Sequence, residues 1–212
     1  MTSPQEEILK CVLSGDLETL QGLFEREDIK EETQKEGLFG GKDEVGRNSL
    51  MVASMLGKTA IVRELLRLGA QVNEQTEGGG YSSLHLAACW SHLDTVRALL
   101  DLGADTQTKT FRGERPVDVA RRYSNTACAD CLILAEAQQD VVSYVAFVKD
   151  IASDPERNLT KEERKICKAA CSAKSEWIQS VVNPTVSDFS AQRKDMEETL
   201  KPILSKLSAE CE

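Results

Sequence analysis

The residues able to perform acid–base or nucleophilic chemistry are few in this chain. His85 and His92 are the only imidazoles among 212 residues. A catalytic histidine needs a nucleophile or a second acid placed beside it, and neither residue has the local signature of Ser-His-Asp or Cys-His catalysis. We therefore predict that the chain is not an enzyme and has no catalytic residues.

Among the seven cysteines, Cys128-x-x-Cys131 has the spacing of half a zinc site or of a redox pair. A structural zinc ion needs four ligands, and no second pair has a matching spacing, since Cys167 and Cys171 are one helical turn apart. An odd number of cysteines without a secretory signal also argues against a disulfide framework. The sequence predicts no metal, no cofactor and thiols that serve as small apolar core residues.

Two other patterns are weaker than they first look. Gly40-Gly41-Lys42 resembles part of a phosphate-binding loop, but Asp43 stands where a Ser or Thr must contact the metal, and no strand precedes it. Glu162-Glu163 and Glu197-Glu198 are adjacent on predicted helices, so one member of each pair faces solvent. Paired acid–base roles require two acids facing one cleft, and we interpret these residues as solvated helix faces.

The net charge of the chain is -9 and its isoelectric point is about 4.9. An acidic chain repels phosphate backbones, so nucleic acid is not an expected partner. The amino-terminal sequence MTSPQEEILK has acidic residues early and no apolar core of signal length. No apolar run approaches the roughly 20 residues needed to span a bilayer. We expect a cytoplasmic protein without membrane insertion.

The elements that position these residues form a repeat, most clearly YSSLHLAACWSHLDTVRALLDLGA at 81–104. Its landmarks recur: Leu50 to Leu84 is 34 residues and Leu84 to Val117 is 33 residues. The extra residue is expected in the Gly78-Gly79-Gly80 turn. Leu and Val at helical spacing predict pairs of amphipathic helices, and Ala53, Ala87 and Ala88 would let those helices approach closely.

This order resembles the ankyrin repeat, whose core is T-P-L-H-x-A. Ser82 and Ser83 replace the usual Thr and Pro, and Ser91 stands where Gly is usual. The resemblance implies an all-α fold, a short solenoid of about four units with an atypical first unit. It assigns 1–24 to an N-terminal capping helix pair, 25–42 to a charged loop with a frayed helix in its first half, and 43–137 to the repeats. It also implies that both histidines hydrogen-bond neighbouring loops.

Residues 138–212 have a different pattern, which predicts a three-helix bundle. The first helix carries a stripe through Val141, Tyr144, Val145, Val148 and Ile151, and the third carries Phe189, Met196, Leu200, Ile203 and Leu207. Thr160 and Glu163 form a capping box before a second helix with Ile166, Ala170, Ala173 and Trp177 on its apolar stripe. Pro202 should kink or end the third helix. Whether a linker near 134–139 separates the bundle from the repeats is left open.

The same region, DVVSYVAFVKDIASDPERNLTKEERKICKAACSAKSEWI followed by DFSAQRKDMEETLKPILSKL, resembles the C-terminal lid bundle of the seventy-kilodalton heat-shock chaperones. The resemblance covers residues 139–207. The chain has no room for the strands of the chaperone's peptide groove, and it ends Ala-Glu-Cys-Glu where the chaperone ends Glu-Glu-Val-Asp. Chaperone activity itself is therefore not implied.

Ankyrin proteins bind partners through the concave face, formed by the hairpin tips and the first helix of each unit. On this sequence the predicted partner-binding residues are Arg47, Met55, Leu56, Tyr81, Trp90, Phe111, Arg112, Arg122 and Tyr123, with Val45 and Cys89 beside them. Aromatic residues and Arg are enriched at binding hot spots. The opposing interpretation is that Trp90 and Leu56 pack under the next unit or against the bundle.

Two functions follow from these patterns. The first is a non-catalytic adaptor or scaffold that binds a protein partner on the concave face. The alternative is a chaperone-associated factor, acting through residues 138–212 on heat-shock chaperones.

Overall fold

A computed structural model describes residues 3–26 and 38–209, with side chains described as far as Leu207. Within those ranges the backbone forms ten helices and no strand longer than an isolated bridge. In chain order they are α1 (Pro4–Ser14), α2 (Leu17–Glu25), α3 (Ser49–Met55), α4 (Thr59–Arg67), α5 (Ser83–Cys89), α6 (Leu93–Asp101), α7 (Pro116–Arg122), α8 (Thr126–Ser153), α9 (Lys161–Ser180) and α10 (Val186–Ala209). The predicted all-α class is confirmed.

The chain divides into two compact units, Met1–Ile133 and Leu134–Glu212. Helix α8 runs without a break through residues 134–139, because the sequence from 126 to 153 contains neither Gly nor Pro and is rich in Ala, which favours helix. The domain boundaries drawn from the sequence stay predictions.

The helices of the first pair, α1 and α2, are separated by Gly15 and Asp16. Gly15 has φ +80° at the end of α1, and the Asp16 carboxylate accepts a hydrogen bond from the Thr19 amide at 2.9 Å to begin α2. Ile8, Cys11 and Val12 of α1 are buried, whereas Leu13 is 58% exposed. Ile8, Cys11 and Val12 have the i, i+3, i+4 spacing of one helix face, and Leu13 lies a further 100° around the helix.

Residues 27–37 of the predicted charged loop, including its proposed frayed helix, lie outside the described residues. The described end of this loop is largely apolar, although the loop as a whole was predicted to be charged. Leu38 is buried, and the ring of Phe39 stacks on Phe24 of α2 with 5.8 Å between centroids. The loop therefore returns to the core before the first hairpin begins.

Three hairpins precede the inner helices α3, α5 and α7. Each is closed by a backbone hydrogen bond: Asp43 to Arg47, Thr76 to Tyr81 and Thr110 to Glu114, each at 2.9 Å. The middle hairpin is one residue longer than the other two, as the step from 34 to 33 residues predicts. The three inner helices stack on one another through Ala53, Ala87 and Ala120, none of which is accessible to solvent.

The turn between the inner and outer helix of each repeat needs one residue in the left-handed region. Gly57 occupies it with φ +67°, but the equivalent residues are Ser91 with φ +62° and Ser124 with φ +59°. A residue with a Cβ atom costs roughly 1–2 kcal/mol in this conformation. The Ser91 replacement noticed in the sequence is therefore a strained backbone position, and Ser124 is a second one.

We expect Ser124→Gly to raise the free energy of unfolding of the repeats by about 0.5–1 kcal/mol, since relief of the left-handed strain exceeds the entropy cost of glycine. Ser124 is exposed, so little packing is lost. Chemical denaturation followed by circular dichroism measures the change. The matched control is Ser190→Gly at an exposed position of α10, which should lower stability instead. A loss of stability in both variants would contradict the proposed strain at Ser124.

The stack of inner helices ends at α7, and the side chain of Arg121 accounts for this end. Arg121 occupies the position of Ser54 in α3 and Ala88 in α5, both of which are fully buried between inner helices. Arg121 is exposed, because no further inner helix packs on α7. A cation at this position opposes the addition of another repeat, since burying it without a partner would be costly.

The C-terminal unit has its own core between the second half of α8, α9 and α10. All the predicted residues of α10 are buried: Phe189, Met196, Leu200, Ile203 and Leu207. The predicted stripe of α8 is also buried, with Tyr144 half-buried. The capping box forms as expected, with the Thr160 amide donating to the Glu163 carboxylate at 2.7 Å.

One expectation for this unit is wrong. Ile166 is 45% exposed and Ala173 is exposed, and the buried residues of α9 are Cys167 and Cys171. Helix α10 continues past Pro202 to Ala209, so the proline does not end it, and the kink predicted as the other effect stays a prediction. Trp177 is half-buried, with its ring edge-on to Phe189 at 5.4 Å between centroids.

One described helix, α8, has the length and composition of a membrane-spanning segment, with a mean hydropathy of 1.3 in its most apolar window. Polar residues between 136 and 140 interrupt its apolar sequence, so no unbroken apolar run marks this helix. Helices that serve a protein core pass the same test. Here Leu132 of α8 enters the first core, and Val145 and Val148 enter the second, so packing accounts for part of the apolar content.

Candidate functional site

The two histidines hold neighbouring repeats together, as the sequence pattern implies. The His85 ring is buried; its Nδ1 accepts from the Ser82 amide at 3.1 Å and its Nε2 donates to the Glu114 carbonyl oxygen at 3.0 Å. His92 Nε2 donates to the Met55 carbonyl oxygen at 3.0 Å. Burial lowers the pKa of His85, against the opposing effect of Glu114 and Asp118. A neutral, fully hydrogen-bonded ring is suited to structure.

The cysteines behave as core residues. Cys11, Cys128, Cys167 and Cys171 are buried, Cys89 and Cys131 are half-buried, and these six thiols are free. Desolvation raises the pKa of each of them, which lowers the thiolate fraction and with it the reactivity. Among the described residues, no group of three or more His, Cys, Asp or Glu side chains is placed to hold a metal ion. Cys211 lies outside the described residues.

The other chemical patterns resolve into local ion pairs. The Lys42 ammonium binds Glu77 of the next hairpin, and this hydrogen bond raises the lysine pKa. Glu163 belongs to its capping box and pairs with Lys206, while Glu197 pairs with Arg193. These contacts give the charged groups structural partners.

The predicted concave face contains a row of exposed apolar residues. Leu56, Trp90 and Tyr123 occupy equivalent positions in three successive repeats, since each is the residue directly after the inner helix. They are 38%, 59% and 53% exposed, so more than a third of the surface of each residue is open to solvent. Large apolar side chains exposed at one structural position on adjacent units are suited to a partner's surface.

Arg122 and its contacts hold the end of this row in place. The guanidinium donates to both oxygens of the Glu114 carboxylate at 2.7 and 2.9 Å, and to the Tyr81 hydroxyl at 3.3 Å. It also lies 5.0 Å from the centroid of the Tyr123 ring. The hydrogen bond to Tyr81 is the main cause of the raised pKa of Arg122. Three segments of two repeats thereby fix one planar cation beside two aromatic rings.

The first repeat has a smaller version of this arrangement. The Arg47 guanidinium binds the Asp43 carboxylate at 2.8 Å and contacts the Met55 sulfur at 2.9 Å. Desolvation opposes charge on Asp43, but hydrogen bonds from Arg47 and Val45 together hold its pKa below the ordinary value. Arg47 and Met55 are half-buried, and Val45 at the tip is 65% exposed.

The tip of the last hairpin presents Phe111 and Arg112. Phe111 is 72% exposed, although the edge of its ring covers Gly80, where a Cβ atom would lie only 2.8 Å from the Phe111 Cδ1. The Phe111 amide donates to the Gly79 carbonyl oxygen at 3.0 Å, which ties the two hairpins together. The Phe111 ring thus packs on the Gly-rich turn of the middle hairpin.

Two residues of this surface escaped the sequence analysis. Glu114 orients Arg122, and its only signal was its place next to Arg115 at the start of α7. The side-chain Nδ2 of Asn125 donates to the carbonyl oxygens of Ala88 and Cys89, each at 2.8 Å. Asn125 is equivalent to His92 by the repeat period, so that period was the signal that would have found it.

The comparisons with known proteins agree with this geometry. The family profile described as "Ankyrin repeats (3 copies)" matches residues 8–110. The chain is 46% identical over 216 residues to ankyrin repeat domain-containing protein 45 of Danio rerio, covering 100% of this chain and 96% of that protein. It is 36% identical over 214 residues to the protein of that name from Homo sapiens, covering 100% and 80%. A shorter similarity, 38% over 73 residues, links it to ankyrin repeat domain-containing protein 40 of Mus musculus. The chain therefore belongs to the family of ankyrin repeat domain-containing protein 45.

Proposed function

We propose that this chain is a non-catalytic adaptor or scaffold that binds a protein partner on the concave face of its repeats. Ankyrin repeats indicate a role in protein–protein interaction. The observation that carries the finer proposal is the exposed row Leu56, Trp90 and Tyr123, with Arg122 held between Tyr81 and Glu114. The proposed setting is the cytoplasm, supported by the acidic composition and the free thiols.

Rigid aromatic side chains lose little conformational entropy on binding and bury a large area, about 150–250 Å² each. Arg122 is already ordered by its hydrogen bonds, so a partner would not have to order it again. A preorganised surface of this kind favours a protein ligand over a small molecule, which would need a deeper enclosed site.

The double variant Trp90→Ala, Tyr123→Ala should weaken binding of partners that co-purify with the full-length chain by at least about thirty-fold, the loss of one hot spot of about 2 kcal/mol. Both rings are more than half exposed, so the repeats should stay folded, which circular dichroism checks. Affinity purification followed by quantitative mass spectrometry measures the loss.

The matched control is Phe147→Ala, which removes a 52% exposed ring from the C-terminal unit. It should leave those partners bound. If the double variant retains every partner at wild-type level, the concave face is not the binding surface.

A second candidate is a chaperone-associated factor that contacts heat-shock chaperones through α8, α9 and α10. It is supported by the likeness of residues 139–207 to the chaperone lid and by the separate core of this unit. The double variant separates the two candidates, since a partner bound through the C-terminal unit would survive the loss of Trp90 and Tyr123.

A further inference from the structure

The last hairpin and α7 together form a basic stretch within an acidic protein. The whole chain has a net charge of -9. The stretch 109–122, which forms the last hairpin and α7, has five bases and two acids, a net charge of +3. The bases are Lys109, Arg112, Arg115, Arg121 and Arg122, and the acids are Glu114 and Asp118. The electrostatic field of this stretch is therefore opposite to that of the chain as a whole.

Both acids in this stretch already have partners. Glu114 binds Arg122 at 2.7 Å, and Asp118 binds Arg115 at 3.2 Å. The charge of Arg121 also stabilises the Asp118 carboxylate. Lys109 and Arg112 are exposed, and neither makes an ion pair within the part of the chain that the structure describes. The excess positive charge is thus directed to solvent at the hairpin, next to the ring of Phe111.

Cations and apolar rings alternate along this edge of the concave face. Phe111 is next to Arg112, and Arg122 lies between Tyr81 and Tyr123. A ligand that matches this pattern carries negative charges and apolar side chains in turn. Ring burial would supply most of the affinity, since exposed ion pairs contribute only about 0–1 kcal/mol each. The charges would instead select the partner and speed its association.

We propose that the concave face of the last two repeats binds an acidic peptide segment in which Asp or Glu residues alternate with aromatic or leucine residues. This inference rests on the proposed adaptor function and adds the chemical class of the partner. Single-stranded nucleic acid also favours cations interleaved with rings. The peptide fits better because a long polyanion would experience the net charge of -9 of the chain, whereas a short acidic segment would contact the basic stretch and the aromatic rings beside it.

The test is to select random peptides displayed on phage against the immobilised full-length chain. Selected peptides should be enriched in Asp and Glu together with aromatic residues or Leu. Synthetic copies should bind the double variant Lys109→Glu, Arg112→Glu at least about ten-fold more weakly, because charge reversal creates repulsion. Binding should also weaken as salt is raised, because the exposed charges are screened. The matched control is Lys165→Glu, Lys168→Glu, which makes the same charge change on exposed residues of α9 and should have no effect.

The outcomes separate this inference from the function on which it rests. Selected peptides without acidic enrichment that still require Trp90 and Tyr123 would overturn the acidic class and leave the adaptor surface intact. Acidic peptides that bind the Trp90→Ala, Tyr123→Ala variant normally would overturn the surface itself. A single-stranded oligothymidine that competes with the peptides at lower concentration would also overturn the proposal, in favour of nucleic acid.

Discussion

Ala87→Leu is expected to lower the free energy of unfolding of the repeats by about 3 kcal/mol, because it forces a larger side chain between inner helices that leave no space for it. Ala87 is fully buried, and its equivalents Ala53 and Ala120 on the two neighbouring inner helices are fully buried as well. A leucine here would push α5 away from both α3 and α7. Domains are commonly stable by only about 5–15 kcal/mol, so the loss would be a large share of the total.

Urea denaturation with hydrogen exchange of peptides that cover Ser83–Cys89 measures this loss within the repeats. Ala127→Leu is the control, since it adds the same three carbon atoms at an exposed position of α8 and should change stability by less than about 0.5 kcal/mol. An Ala87→Leu variant as stable as the wild type would show that the inner helices are not closely packed at this position.

Much of the repeat unit could be predicted from the sequence because one period constrains many residues at once. The period aligns Ala53 with Ala87 and locates the longer hairpin at the Gly-rich turn. It also places His85 and His92 where each can bridge two units. Each of these predictions depends on local geometry that every repeat shares, so errors at one position are corrected by the others.

The C-terminal unit has no such repetition, and its errors follow from that. The sequence of α9 allows one apolar stripe through Ile166 and Ala173 and another through Cys167 and Cys171. In the structure the two cysteines are the buried residues. The buried face of α9 also includes polar groups: Lys174 Nζ donates to the Gln192 oxygen at 2.7 Å, and Arg164 donates to the Ala152 carbonyl oxygen at 2.8 Å. Apolar content alone cannot reveal a face built from thiols and hydrogen-bonded cations.

The candidate site was predictable by position but not by geometry. The period marks Leu56, Trp90 and Tyr123 as equivalent residues, and nothing more is needed to place them in one row. The orientation of Arg122 depends on Glu114 from the hairpin and on Tyr81 from the preceding repeat. Those contacts join residues far apart in the chain, so spacing along one helix could not have predicted them.

Replacing His85 should have the second large effect on the repeats. His85→Ala removes the acceptor of the Ser82 amide and the donor to the Glu114 carbonyl oxygen, and it leaves a cavity at a buried position. A buried group without its hydrogen-bond partner costs about 1–3 kcal/mol, so we expect a loss of about 2–3 kcal/mol. His85→Gln can keep one of the two hydrogen bonds and should lose less. Equal losses in both variants would contradict this account, because glutamine retains most of the side-chain volume of His85 as well as one hydrogen bond.

His85 should also make the stability of the repeats depend on pH in a particular direction. Burial lowers its pKa in the folded chain. A proton on Nδ1 would also break the hydrogen bond that this nitrogen accepts from the Ser82 amide. In the unfolded chain the same group protonates near its ordinary pKa of about 6.5. The unfolded state therefore binds more protons as the pH falls below that value, and stability is lost.

The wild type should lose up to about 1.4 kcal/mol between about pH 7.5 and pH 5.5, since each pH unit below the unfolded pKa costs up to that amount. Carboxylates with ordinary pKa values titrate below this window, so they contribute little to the slope. Glu114 and Asp118 stabilise the imidazolium and would reduce the loss. Denaturant midpoints of the wild type and of His85→Gln, compared across this range, measure the effect. If the two chains lose stability equally, the slope arises elsewhere, and His85 is not held neutral by the fold.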